Sequence, residues 1–154
     1  MGTEISRISK MLKHNWEGPM WYGGNLTTVL AGITKEKAFH KPAAGSHNIY
    51  ELVVHMQCWR KFVLENLKGN AAYSVEINSE IDWPTNYEFT EAAWYSATAE
   101  LENSQKELLE ALNNIEDSKL EELVPGKKFN WYVLLHGILH HDIYHSAQIA
   151  ILKK

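Results

Sequence analysis

The chain has 154 residues, 45% apolar and 22% charged, a balance that excludes disorder, and its 9 Gly and 4 Pro exclude collagen-like and low-complexity classes. That length implies one domain over residues 1–154, with a core large enough to fold without a disulfide or a metal. The net charge of −4 comes with no basic stripe to gather nucleic-acid phosphates, and the longest uncharged runs, Gly18–Thr34 and Phe129–His141, are too broken or too short to span a bilayer.

Apolar residues recur at helical spacing in four places. Ile5, Ile8, Leu12 and Trp16 predict a first helix near 4–16, stopped by Gly18-Pro19. Between Trp21 and Pro42 the pattern predicts irregular chain with one short helix, opened by Asn25 and closed near Gly32. Asn48-Ile49-Tyr50-Glu51 then has the form of a capping box. Behind it Leu52, Val53, Met56, Trp59, Val63 and Leu67 predict a helix over 48–68, ended by Gly69. Residues 70–88 read as a long connection with a short extended piece at Tyr73–Ile77. Thr90 caps a third stripe, from Ala93 through Leu112 to Ile115, and Asn130 caps a last helix over 130–152. Four such stripes predict an all-α, single-domain four-helix bundle.

Cys58 is the only cysteine, so no internal disulfide is possible. Together with an N-terminus that lacks an apolar signal region, this points to a reducing cytoplasm.

The unusual feature is histidine. Of eight in the chain, His136, His140, His141 and His145 lie within ten residues of the last helix. At about 100° per residue, His136 and His140 share one side of it, and His141 and His145 share another. A pair at i, i+4 sets two imidazoles one turn apart, where they can grip one metal ion. Spacing does not choose between the pairs. Neighbours favour His141 and His145, which share their sector with Leu134, Ile138, Ile149 and Leu152 and would look into the bundle. Bare imidazoles there would lack partners. The plainer alternative is surface or hydrogen-bonded core histidines.

His141-Asp142-Ile143-Tyr144-His145 also has the spacing of the zinc-protease motif with Asp in place of Glu. Those enzymes take a third ligand downstream, and no His, Asp or Glu follows His145. A third ligand must come from upstream, and His55 is the one upstream histidine well inside an apolar helix. Three neutral imidazoles would leave coordination positions open, as in catalytic sites.

Asn48-Ile49-Tyr50-Glu51-Leu52-Val53-Val54-His55-Met56, with Trp59, resembles the second-helix signature of the DinB/YfiT-like proteins. His140-His141-Asp142-Ile143-Tyr144-His145-Ser146-Ala147-Gln148-Ile149 resembles their closing signature. Trp21 to Leu30 and the turn Asp82-Trp83-Pro84 are similar to that family as well, in order along the chain. Asn48 stands where Ser is common, which keeps the cap, and Ser146-Ala147 departs from a frequent Ala-Gly or Leu-Gly. The resemblance implies a four-helix bundle with a divalent metal on His55, His141 and His145. It also implies a homodimer, and a reaction with a low-molecular-weight thiol or, for other members, metal-dependent hydrolysis.

Zn²⁺ or Ni²⁺ is the ion expected on isolation, since imidazole suits both without selecting the native one. An open three-histidine site can activate water or hold a small thiol ionised. The thiol reading is preferred, against a hydrolase acting on a small-molecule substrate and against a metal pin or dimerisation module without catalysis. Asp142, one turn before His145, is the candidate base, with a solvated carboxylate as the plainer alternative. Glu51, one turn before His55, could orient that ring but already closes the capping box. Cys58 reads as a core residue. Trp59 and Tyr144 are candidates to wall a pocket.

Overall fold

A computed structural model describes residues 2–154. Among them lie six α-helices, one short 3-10 turn and no strand. The first helix, α1 (Glu4–Glu17), buries Ile5, Ile8 and Leu12. Its N-terminus is held twice: Thr3 accepts from the Ser6 amide, and the Asp117 carboxylate accepts from the amides of Glu4 and Ile5 at 2.8 and 3.0 Å. Gly18 ends it where a Cβ would lie 2.7 Å from the His14 Cα, so no larger residue fits without displacing backbone.

Two five-residue helices follow, α2 (Leu26–Leu30) capped by Asn25 and α3 (Lys35–Phe39) capped by Thr34. The first matches the short helix predicted after Asn25. The second has no counterpart in the prediction, because five residues are too few to show a helical period. It buries Ala38 and Phe39 against α4.

The long helices are α4 (Ile49–Leu67), α5 (Glu91–Leu112) and α6 (Trp131–Leu152). The capping box forms as expected: Asn48 Oδ1 accepts from the Glu51 amide at 2.8 Å, and the Glu51 carboxylate accepts from the Asn48 amide. Helix α5 stops at Leu112, ahead of Ile115. The chain there turns into the 3-10 segment Asp117–Glu121, which carries the Asp117 cap back to α1.

Helix α4 is the centre of the packing, lying on both α5 and α6, with α1 closing the other side. Phe62, Leu108, Leu112 and Leu135 pack with the α1 stripe at one end. Leu52, Met56, Leu101 and Ile149 pack with α2 and α3 at the other. Between these residues in sequence sit Arg60 and Asp142, both fully buried. The guanidinium donates to the carboxylate at 2.7 and 3.3 Å while stacking on Trp16. A buried ion pair is tolerated only when each charge is compensated, and this one bolts α4 to α6.

The piece expected to be extended, Tyr73–Ile77, pairs in no ladder among the described residues; residues 73–76 are irregular chain with turns on either side. The loop 68–90 is nevertheless well tied. Glu80 accepts from the amides of Thr85 and Asn86, and Asn78 adopts a left-handed conformation (φ 63°) with its amide donating to Asp82. These bonds lay Asp82 and Trp83 over α4.

Candidate metal centre

Helices α4 and α6 bring His55, His141 and His145 together, with one ligand atom of each lying within 4.8 Å of the others. His55 Nε2 and His141 Nε2 are 3.0 Å apart. The three ring centroids are separated by 4.4 to 4.9 Å. His55 and His145 are almost completely buried and His141 is half-buried. His136 and His140 lie elsewhere on α6: His136 is bonded to the Tyr132 carbonyl at 3.0 Å and packs at a tilt against the Tyr132 ring.

The partners of the ring nitrogens decide which of them are free. His55 Nδ1 faces the Asp82 carboxylate at 2.8 Å and the Asp82 carbonyl at 3.1 Å. Both are acceptors, so Nδ1 carries the proton and Nε2 presents a lone pair. His145 Nδ1 likewise donates to Gln148 Oε1 at 2.6 Å, leaving Nε2 free. His141 points Nε2 at His55, and its Nδ1 is buried with no partner. A ring-to-ring hydrogen bond can serve only one of these lone pairs. A cation can serve all three.

The electrostatics agree. Burial, followed by the neighbouring His145, depresses the pKa of His55, and burial depresses that of His145. His141 is pushed down to about 3, first by burial and then by His145, His55 and Arg60. All three rings are therefore neutral at neutral pH, the form that ligates metal. On a tetrahedral zinc with Zn–N of about 2.0–2.1 Å, ligand nitrogens sit about 3.3 Å apart, close to the His55–His141 separation. The residues fit a divalent ion.

Residues 23–149 match the DinB superfamily. The chain belongs to that superfamily. No curated protein and no solved structure matches it. Membership and the three-histidine cluster are together compatible with metal binding, and the resemblance drawn from the α4 and α6 signatures agrees with both. No helix among the described residues is long and apolar enough to cross a membrane.

In this DinB-superfamily fold the carboxylates are deployed differently from the expectation. Asp142 faces away from a role as base: both of its oxygens are taken by Arg60, and it is fully enclosed. Burial raises its pKa, with Arg60 opposing. Glu51 does not touch His55. Besides closing the capping box it accepts from Tyr87 Oη, Lys41 Nζ (2.8 Å) and His47 Nδ1 (3.0 Å). Asp82 is the carboxylate that orients His55, and the same Oδ1 also accepts from Trp59 Nε1 at 2.9 Å.

Trp83 stacks within 3.8 Å of the His55 ring and 3.7 Å of the His47 ring, nearly parallel to both. Two rings that close to one indole must occupy its opposite faces. Cys58 is buried, with its thiol pushed up to about 11 chiefly by desolvation, as suits a packing residue. Tyr144 is largely exposed and meets His145 edge-on.

Sequence reasoning missed Asp82, Gln148, Trp83 and His47 as neighbours of the cluster. Gln148 carried a usable signal, since it follows His145 by three residues on a helix. Asp82 and Trp83 carried none beyond the family-like turn, because a long loop brings them in.

Proposed function

We propose that this protein is a metal-dependent enzyme that joins a small thiol to an electrophilic carbon, with His55, His141 and His145 holding one divalent transition metal, Zn²⁺ or Ni²⁺ as isolated. The observation that supports this reading is the convergence of three neutral imidazoles, two with Nδ1 already committed to acceptors. A divalent ion held there supplies Lewis acidity, which keeps a ligated thiol ionised at neutral pH. Asp82 and Gln148 fix the orientation of two rings and keep Nε2 free, as outer partners of metal-binding histidines do. Trp83 covers one face of His55 and limits the access of water to it.

In the reaction the thiol sulfur forms a bond to carbon while the bond to the leaving group breaks. The leaving group departs with the bonding pair, and the thiol proton passes to solvent. The partners proposed are a low-molecular-weight thiol and an electrophile for the reaction and, on the family resemblance alone, a second copy of the chain in a homodimer.

Metal-loaded protein assayed with a panel of thiols and a chlorinated aromatic acceptor, beside ester and amide substrates, tests the reading. Turnover that needs both metal and thiol, and that His55→Ala abolishes, is the expected result. Metal-dependent turnover of the esters or amides alone would replace it with hydrolysis. A bound ion with every coordination position filled by protein would make the site a structural pin.

A further inference from the structure

An apolar cleft of about 120 Å³ opens between α4 and α6 beside the histidine cluster. Trp59, Phe62 and Val63 wall it on one side, Leu134 and Ile138 on the other, and His141 also lines it. The indole nitrogen of Trp59 is spent on Asp82, and the two nitrogens of His141 are turned to His55 or buried. The walls therefore offer water almost no hydrogen-bond partner, and an enclosed water needs two to four.

The last lining residue is Gly137. Glycine inside a helix is less favourable than alanine, and a Cβ at this position would meet nothing within 4 Å. No backbone approach and no positive φ requires it. What the missing side chain preserves is the open space of the cleft.

We propose that this cleft is the subsite for the apolar part of the electrophile, a group no larger than one benzene ring. The size follows from the volume, since a closed apolar cavity of ~150 Å³ takes one benzene ring and this one is smaller but open on one side. An aromatic group is favoured because Trp59 and Phe62, set edge-to-face at 5.7 Å, present ring surfaces to it. The assignment rests on the metal-dependent reading for its meaning: Trp59 lies 6.4 Å from the His141 ring between centroids, so a ring seated there lies beside the cluster.

Fluorobenzene, followed by ¹⁹F NMR, is the probe. Zinc-loaded protein should bind it saturably. Gly137→Leu, on an exposed helical face that accepts leucine, should weaken binding at least tenfold with metal affinity unchanged, and Gly137→Ala should keep most of the binding. In cobalt-loaded protein the paramagnetic ion should broaden the bound ¹⁹F signal beyond its width in the zinc form. Undiminished binding to Gly137→Leu would overturn the assignment, as would a signal that cobalt leaves unchanged. A dimer that excludes fluorobenzene and that Gly137→Leu splits would give the cleft to a second copy of the chain instead. If the protein binds no ion, the metal reading fails on its own, and titration of the metal-free protein still decides whether the cleft takes the ring.

Discussion

Asp82→Asn tests the centre through a residue that touches neither metal nor substrate. Asp82 Oδ1 accepts from His55 Nδ1 at 2.8 Å and from Trp59 Nε1 at 2.9 Å, and Oδ2 accepts from the Asn78 amide at 2.8 Å. An amide keeps only one acceptor oxygen. With that oxygen toward His55 and Trp59, the new NH₂ meets the Asn78 N–H donor to donor. In the other orientation it meets His55 and Trp59. At least one buried donor is left unsatisfied, which costs about 1–3 kcal/mol, or a melting temperature lower by roughly 2–12 °C at about 2–4 °C per kcal/mol. The lost negative charge also makes the imidazole a poorer ligand. Loss of such a partner lowers metal affinity about 10–100-fold, which is about 1.4–2.7 kcal/mol. Zinc affinity measured by competition with a chromophoric chelator, alongside thermal melts of the metal-free form, separates the two effects. A variant that melts lower yet binds zinc as tightly as the parent would refute the orienting role and leave Asp82 a loop tie.

Three further outcomes are expected. The metal-free protein should lose stability as pH falls below about 6.5, the ordinary histidine value. The unfolded chain then takes up protons that the folded His141, with its pKa near 3, and the likewise depressed His55 and His145 refuse. The slope approaches ~1.4 kcal/mol per pH unit for each histidine; urea midpoints that match at pH 7.5 and 5.5 would contradict it. Arg60→Met strands the buried Asp142 charge and should cost ~3–5 kcal/mol, whereas Arg60→Met with Asp142→Leu should recover most of that, both read from urea denaturation. Cys58, buried and with its thiol near 11, should resist a disulfide reagent in the native state and react at once in urea; equal rates would place it at the surface.

The sequence by itself determined the helices that carry their own signals. Asn25, Thr90 and Asn130 announce caps, Asn48 and Glu51 a capping box, and Gly18-Pro19 a stop. Each works over three or four residues, so the local chain suffices to read it. It also pointed to the metal ligands: i, i+4 spacing is a local fact that offers two histidine pairs on α6, and the aliphatic sector of Leu134, Ile138, Ile149 and Leu152 favoured His141 and His145, with His55 on α4 as the third. Whether His136 and His140 or His141 and His145 meet His55 is decided by which side of α6 packs on α4. That helix buries Trp131, Leu135, Leu139 and Ile149 on one face but also carries Tyr132, Val133, Tyr144 and Ile151 exposed outside it, so its pattern favours a side without fixing it. Tertiary structure likewise assigned the carboxylates. Asp142 finds Arg60 at a separation of 82 residues, and Asp82 reaches His55 across 27 by way of a loop held by its own side chains. A buried polar group must be satisfied by whatever the chain path brings alongside it, and that path is a property of the whole packed bundle.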